Sequence, residues 1–155
     1  MKLVINMQRE KDYLKLTTVL FRTMQHVESV IKKDIQSYQL NTSEFGTLEL
    51  LYHRGAQPMQ SIASRLLMAN SSMTYVIDKL EAKDMIQRRQ DESDKRVIMV
   101  ELTKAGHDFF EGIFKHHIEA LSSMYGHLTQ EELLLLIQTL KKVGYRAKEL
   151  QGEKS

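Results

Sequence analysis

The sequence predicts a mainly α-helical fold carrying one small β-hairpin. Three observations point there. Pro58 is the single proline in 155 residues. Long stretches on both sides of the centre place apolar residues at three- and four-residue intervals. Two short runs, 85–89 and 97–102, read as strands joined by a polar turn. An apolar content of 42% is that of a folded domain with a real core.

The first helix covers about 10–37 and carries two apolar stripes: Tyr13, Leu16, Leu20, Met24, Val27 and Ile31 on one, Leu14, Phe21 and Val30 on the other. A single short domain cannot easily cover both. The next helix starts after Leu40: Asn41 caps it, Glu44 reaches back to the Asn41 amide, and Leu40 staples onto Phe45. It ends near Gly55 and buries Phe45, Leu48, Leu51 and Tyr52. A turn over 55–58 leads into a short helix with Met59, Ile62, Ala63 and Leu66 at i, i+3, i+4 and i+7. After a turn at 67–69, Asn70 is placed as the cap of a helix over 71–83, where Met73, Val76, Ile77 and Leu80 repeat that spacing. The β content is confined to the hairpin with its tip at 90–96. Thr103 caps a long helix to residue 125, which Gly126 closes in a left-handed cap. Thr129 with Glu132 forms a second capping box, and Leu128 staples to Leu133. The run Leu133, Leu134, Leu135, Leu136 and Ile137 is apolar around most of the helix, so a second subunit is its economical cover.

Lys+Arg 22 nearly cancels Asp+Glu 20, so a nucleic-acid partner must be argued from where charges sit. The absence of cysteine excludes disulfides, thiolate catalysis and Cys-based zinc sites and fits a reducing compartment. Charge interrupts the first ten residues and no apolar run is long enough to span a bilayer, so the chain reads as soluble, unexported and cytoplasmic, with no membrane partner.

Helix, turn, helix and hairpin, in that order, make a winged helix-turn-helix. With its apolar residues inward, the second helix of the pair turns out Ser71, Ser72, Thr74, Tyr75, Asp78 and Lys79. Short hydroxyls near a helix N-terminus, Asn70 among their neighbours, approach base edges and phosphates closely. The hairpin adds Arg88, Arg89, Lys95 and Arg96, and an arginine at such a tip can enter a minor groove. Asp94 is expected to hold the loop in shape by pairing with Arg96 or Arg88. Arg65 and Lys104 are weaker phosphate candidates. The pattern predicts double-stranded DNA as the partner.

The stretch MQSIASRLLMANSSMTYVIDKLEAKDMIQRRQDESDKRVIMVELTKAG resembles the core of the MarR family through Leu80-Glu81, Lys83, Arg88, Asp91, Asp94, Arg96, Leu102-Thr103 and Gly106. Two positions depart from the family pattern. Asp84 stands where glycine is usual, which implies a different helix end, and Ser93 replaces the first arginine of the wing. The resemblance covers nearly the whole chain. It implies one domain over 1–155, a DNA-binding part over 41–102, dimerisation helices over 9–37 and 103–150, and a homodimer on a palindromic operator. It further implies a repressor released by a small phenolic or other aromatic effector. Within the family, KKDIQSYQLNTSEFGTLELLYHRGAQPMQSIASRLLMANSSMTYVIDKLEAK is similar to the branch that answers to quinones and hydroquinones. Phe21, His26, Phe45, Leu48, Tyr52 and Met68 are the candidates to line an effector cleft, although aromatic and Met stripes at helical spacing also read as core.

A metal-responsive regulator is the first rival, supplied by His26, His53, His107, His116, His117 and His127. No HExxH or His/Cys framework organises them, so no metal site and no cofactor are predicted. An enzyme is the second; no nucleophile elbow, phosphate-binding glycine loop or triad is present, so none is expected. A helical interaction module that leaves DNA alone would explain the apolar helices but not the residue pattern of the hairpin.

Overall fold

The computed structural model describes residues 7–66 and 68–152. In chain order these form α1 (Met7–Ser37), α2 (Thr42–Arg54), β1 (Gln57–Pro58), α3 (Met59–Arg65), α4 (Asn70–Ala82), β2 (Ile86–Gln90), β3 (Ile98–Leu102), α5 (Lys104–Tyr125) and α6 (Gln130–Leu150). Two compact units result, one through His117 and one from Ile118 onward. In the first unit, Leu48, Leu51, Ile62, Met73, Ile77, Leu80, Ile86, Val100 and Phe110 are fully buried. They are the inward residues of α2, α3, α4 and the sheet, joined by the first half of α5. The aromatic side chains stack in a chain: Phe45 lies 5.4 Å from Phe110, which lies 5.1 Å from Tyr52 and 5.8 Å from Phe114. No described helix is long and apolar enough to cross a membrane.

Local signals set most helix ends. The capping box at Asn41 and Glu44 forms in both directions, at 2.8 and 2.9 Å. Thr129 and Glu132 repeat it at the start of α6. Gly55 stops α2 at φ 69 and ψ −159, a conformation essentially reserved for glycine. Thr103 Oγ1 accepts the Gly106 amide at 2.9 Å and donates to the Asp84 carbonyl at 2.6 Å, tying α5 to the end of α4.

Four expectations need correction. The β content is not confined to the hairpin: Gln57 and Pro58 pair with Val100 and Met99, giving an antiparallel sheet of order β1-β3-β2. Proline has no amide to donate, which is tolerable because β1 is an edge. Asn70 does not cap α4. The carbonyl of Ala69, itself extended, already accepts the Met73 amide at 3.0 Å, so the helix begins one residue earlier and Asn70 lies inside it. Gly126 does not adopt the left-handed conformation. Its role is close approach, since a Cβ there would lie 2.5 Å from the Ser122 carbonyl oxygen.

The fourth concerns Asp84, which takes the left-handed conformation at φ 56 that glycine would supply. The Asp84 amide donates to Glu81 and the Met85 amide to Leu80, so α4 closes in the usual double hydrogen bond of a left-handed cap, not in a different end. The side chain resides there against its preference. Asp84→Gly is therefore expected to raise stability by about 0.5–1 kcal/mol, read as a shift in urea midpoint. A decrease would show that the Asp84 carboxylate has a stabilising partner.

Candidate nucleic-acid interface

The buried face of α4, made by Met73, Val76, Ile77 and Leu80, fixes which residues point outward. Ser71, Ser72, Thr74 and Tyr75 are exposed, Tyr75 at 64%. Thr74 Oγ1 donates to the Asn70 carbonyl at 3.0 Å. Among the described residues no side chain caps the first turn of α4, so its amides can receive an anion.

Clefts flank this ridge, one of them lined by Thr74 with Met59, Arg88, Arg89, Gln90 and Ile98. Asn70 and Thr74 share a cleft of about 250 Å³ with Arg96, Val97 and Ile98 of the wing and with Pro58 to Gln60. Ser71, Ser72 and Tyr75 line another, of about 410 Å³, with Asn41, Ser43, Met68 and Val76. The structure thus brings helix residues and Arg96 to one rim. Arg65 lies elsewhere, in a cleft with Glu49, His53 and Arg54.

The wing loop is built from its own acids. Asp91 Oδ1 accepts the Ser93 amide at 2.9 Å, the Ser93 hydroxyl at 2.5 Å and the Asp94 amide at 3.0 Å. Ser93, which costs the wing a charge, thereby helps fold it. Asp94 pairs with Arg96, not Arg88: Arg96 Nε donates to Oδ1 and Nη2 to Oδ2, both at 3.0 Å. The Arg96 side chain stays 91% exposed, so the pairing orients the guanidinium without hiding it. Lys95 beside it is exposed.

Arg88 is partly exposed and paired with α4. It donates from Nη1 to Glu81 at 2.8 Å and from Nη2 to Asp78, joining β2 to α4. Arg89 donates to Glu101 at 3.1 Å across the sheet. On the other flank of α4, Lys79 and Lys83 reach the buried Glu44 of α2. Burial pushes the Glu44 carboxyl up, but the Asn41 amide and the two lysines outweigh this and hold it below the usual carboxylate range. Glu44 was not singled out from sequence beyond its capping role.

The hydroxyl of Ser93 and two amides hold Asp91, and the Arg96 guanidinium and amide hold Asp94, below the ordinary carboxylate value. A lowered value means that the loop order they confer is present through neutral pH and is lost as pH falls through the carboxylate range. Amide signals of 91–97 are expected to stay sharp on titration through neutrality and to broaden only in acid. Broadening near neutral pH would refute this account of the loop.

The effector candidates differ in exposure. Phe45 and Leu48 are closed core, at 3% and 0% exposure. Phe21 and His26 are exposed on α1, Tyr52 is half-buried, and Met68 lines the cleft beside Tyr75. His107, Asp108 and Glu111 can bring one ligand atom each within 4.8 Å of one another, a grouping not foreseen from sequence. All three are exposed and Asp108 is paired with Lys104 at 2.5 Å, as expected of a solvated helix face.

Comparison with known proteins bears on this geometry. The MarR family model matches residues 40–98. The HTH-type transcriptional regulator MhqR of Bacillus subtilis is 38% identical over 140 residues, covering 90% of this chain and 97% of the relative. A mutant MarR from Escherichia coli, solved in complex with operator DNA, superposes with a TM-score of 0.73 at 20% identity, covering 85% of this chain and 95% of that one. BpsR of Bordetella bronchiseptica, whose DNA binding is regulated by 6-hydroxynicotinic acid, gives 0.72 at 22% identity, covering 83% and 91%. A second relative from Bacillus subtilis, YkoM, 35% identical over 150 residues, is likewise named as an HTH-type transcriptional regulator. The chain belongs to the MarR family, as a DNA-binding transcription regulator with the winged helix-turn-helix fold.

Proposed function

We propose that the chain is a cytoplasmic homodimeric repressor that reads a palindromic operator and leaves it when a small phenolic or quinone-like compound binds. The carrying observation is the common rim on which Arg96 of the wing meets Asn70 and Thr74 of α4. In this reading α4 enters a major groove, with Ser71, Ser72, Thr74 and Tyr75 facing the bases and Lys79 on the same helix. The wing lays Lys95 and Arg96 along the minor groove, Asp94 aims Arg96, and Arg88 holds the wing base. Residues 41–102 are the DNA-binding part, and 9–37 with 103–150 join the subunits about one turn of DNA, roughly 34 Å, apart.

The small-molecule part rests on resemblance: MhqR is a 38% identical relative, and BpsR answers to a hydroxylated aromatic acid. Phe21, His26, Tyr52 and Met68 have surface to offer a ligand, whereas Phe45 and Leu48 would act only as its backing. Release follows if the ligand favours a half-site spacing that no longer fits adjacent major grooves.

The test is binding of the purified protein to its own upstream DNA at several salt concentrations with excess nonspecific duplex, followed by a screen of phenols and quinones for operator release. Saturable binding that survives competitor supports the regulator. Arg96→Ala is expected to weaken operator and nonspecific DNA alike, by about tenfold, and to reduce the salt slope by about one. An unchanged slope would remove the wing from the contact.

A further inference from the structure

A capping box explains one oxygen of Glu44 and leaves the other unexplained. Oε2 accepts the Asn41 amide, a bond that glutamine serves equally well. Among the described residues Oε1 accepts no well-aligned hydrogen bond although the residue is 2% exposed, and its partners are charges. Two ammonium groups converge on that oxygen, Lys79 Nζ of α4 at 3.3 Å and Nζ of Lys83, the residue that caps α4, at 3.6 Å. A carboxylate withdrawn from water is costly unless paired. Placements of α4 in which both lysines reach Glu44 are therefore favoured over neighbouring ones in which they do not.

The opposite flank of α4 is held by the second clamp, Asp78 and Glu81 on Arg88. One helix is thus gripped from two sides, through residues 79 and 83 by α2 and through 78 and 81 by the wing. Lys79 Nζ also lies 5.6 Å from the ring centroid of Tyr75, one turn nearer the N-terminus. The grip on Glu44 therefore continues to an exposed residue of the reading face.

We propose that Glu44 is a positioning residue for DNA reading: through Lys79 and Lys83 it sets the angle at which α4 presents Ser72, Thr74 and Tyr75, and Lys79 acts by anchoring that helix more than by neutralising a phosphate. This rests on the DNA-reading function proposed above and deepens it. It has a consequence that ordinary structural damage does not share. Removing the Glu44 charge releases two ammonium groups toward DNA while loosening the helix, so nonspecific affinity and operator preference move in opposite directions.

The experiment measures wild type, Glu44→Gln, Lys79→Met and the double variant on operator and scrambled duplex across a salt series, with thermal melting alongside. Glu44→Gln is expected to bind scrambled DNA as tightly as wild type or severalfold more tightly, with a salt slope steeper by about 1 to 2. Its preference for operator should fall about tenfold. Lys79→Met should lose preference without that steepening, and the double variant should be no worse than Glu44→Gln alone. Preference within twofold of wild type in Glu44→Gln overturns the proposal. So does a Lys79→Met that weakens both duplexes equally and lowers the slope by about one, the signature of a phosphate contact. Should Glu44→Gln fail to fold, Lys79→Met with Lys83→Met, both on partly exposed side chains, carries the same expected loss of preference. Wild type without any operator preference would overturn the DNA-reading function itself, a result visible before any variant is compared.

Discussion

Gly106→Ala is expected to lower stability by about 3 kcal/mol or more, enough to unfold a marginally stable domain. A Cβ at residue 106 would lie 1.8 Å from the Met85 carbonyl oxygen, 2.7 Å from its carbon and 3.0 Å from its Cα. These are backbone atoms with little room to yield. The Met85 amide is held by Leu80, and its carbonyl accepts the Thr103 amide at 3.1 Å. On the glycine side, Thr103 Oγ1 fixes the first turn of α5. The methyl group can enter only if α5 lifts off the start of β2, and that opens the core where Phe110 sits, one turn along the same helix. Urea unfolding followed by far-UV circular dichroism gives the difference directly. A loss under about 1 kcal/mol would mean that α5 slides without cost, contrary to close packing at this seam.

Leu136→Glu with Leu140→Glu is expected to yield a monomer and to reduce operator affinity by about 100-fold or more. No residue of α6 is buried within the chain. Leu134, Leu135, Leu136, Ile137, Leu140 and Val143 remain between 40% and 64% exposed, a group of large apolar side chains of the kind that marks an interaction surface. Residues 136, 140 and 143 share a stripe, so charge at two of them spoils its centre while leaving the outward-facing helix soluble. If two subunits grasp two half-sites, losing the second grip removes the gain from effective concentration but leaves each reading head intact. Sedimentation should show the monomer, while affinity for a single half-site changes little. A monomer that keeps full operator affinity would sink the two-subunit reading.

What could be read from sequence was what is local. Asn41 with Glu44 and Thr129 with Glu132 were legible as capping boxes because both partners lie within one turn. The inward faces of α2 and α4 were legible from their period. What escaped depends on distant partners. Gln57 and Pro58 carry no strand signal and become β1 only because β3 lies alongside. Asn70 has the chemistry of a cap, but the backbone of Ala69 had already begun the helix. Lys79 read as an outward cation, since no helical period reveals a buried carboxylate 35 positions earlier in the chain. Asp84 shows the reverse: the hydrogen bonds of the helix end impose a left-handed backbone on a residue that does not favour it. Phe45 and Leu48 are effector candidates by their place on the second helix beside the cleft that the family resemblance implies, and the helical period that puts them there is also the period of core residues, which is where both sit in this chain.

The two-residue strand that ends in Pro58 settles what kind of self-association the sheet allows. In the order β1-β3-β2 the sheet has two edge strands on which another copy could stack. On one border Pro58 offers no amide to an incoming strand. On the other, β2 carries Gln87, Arg88, Arg89 and Gln90, whose length and charge discourage a neighbour. Crowding at high concentration should therefore drive copies together through their helices and not through fibril-like stacking of wings.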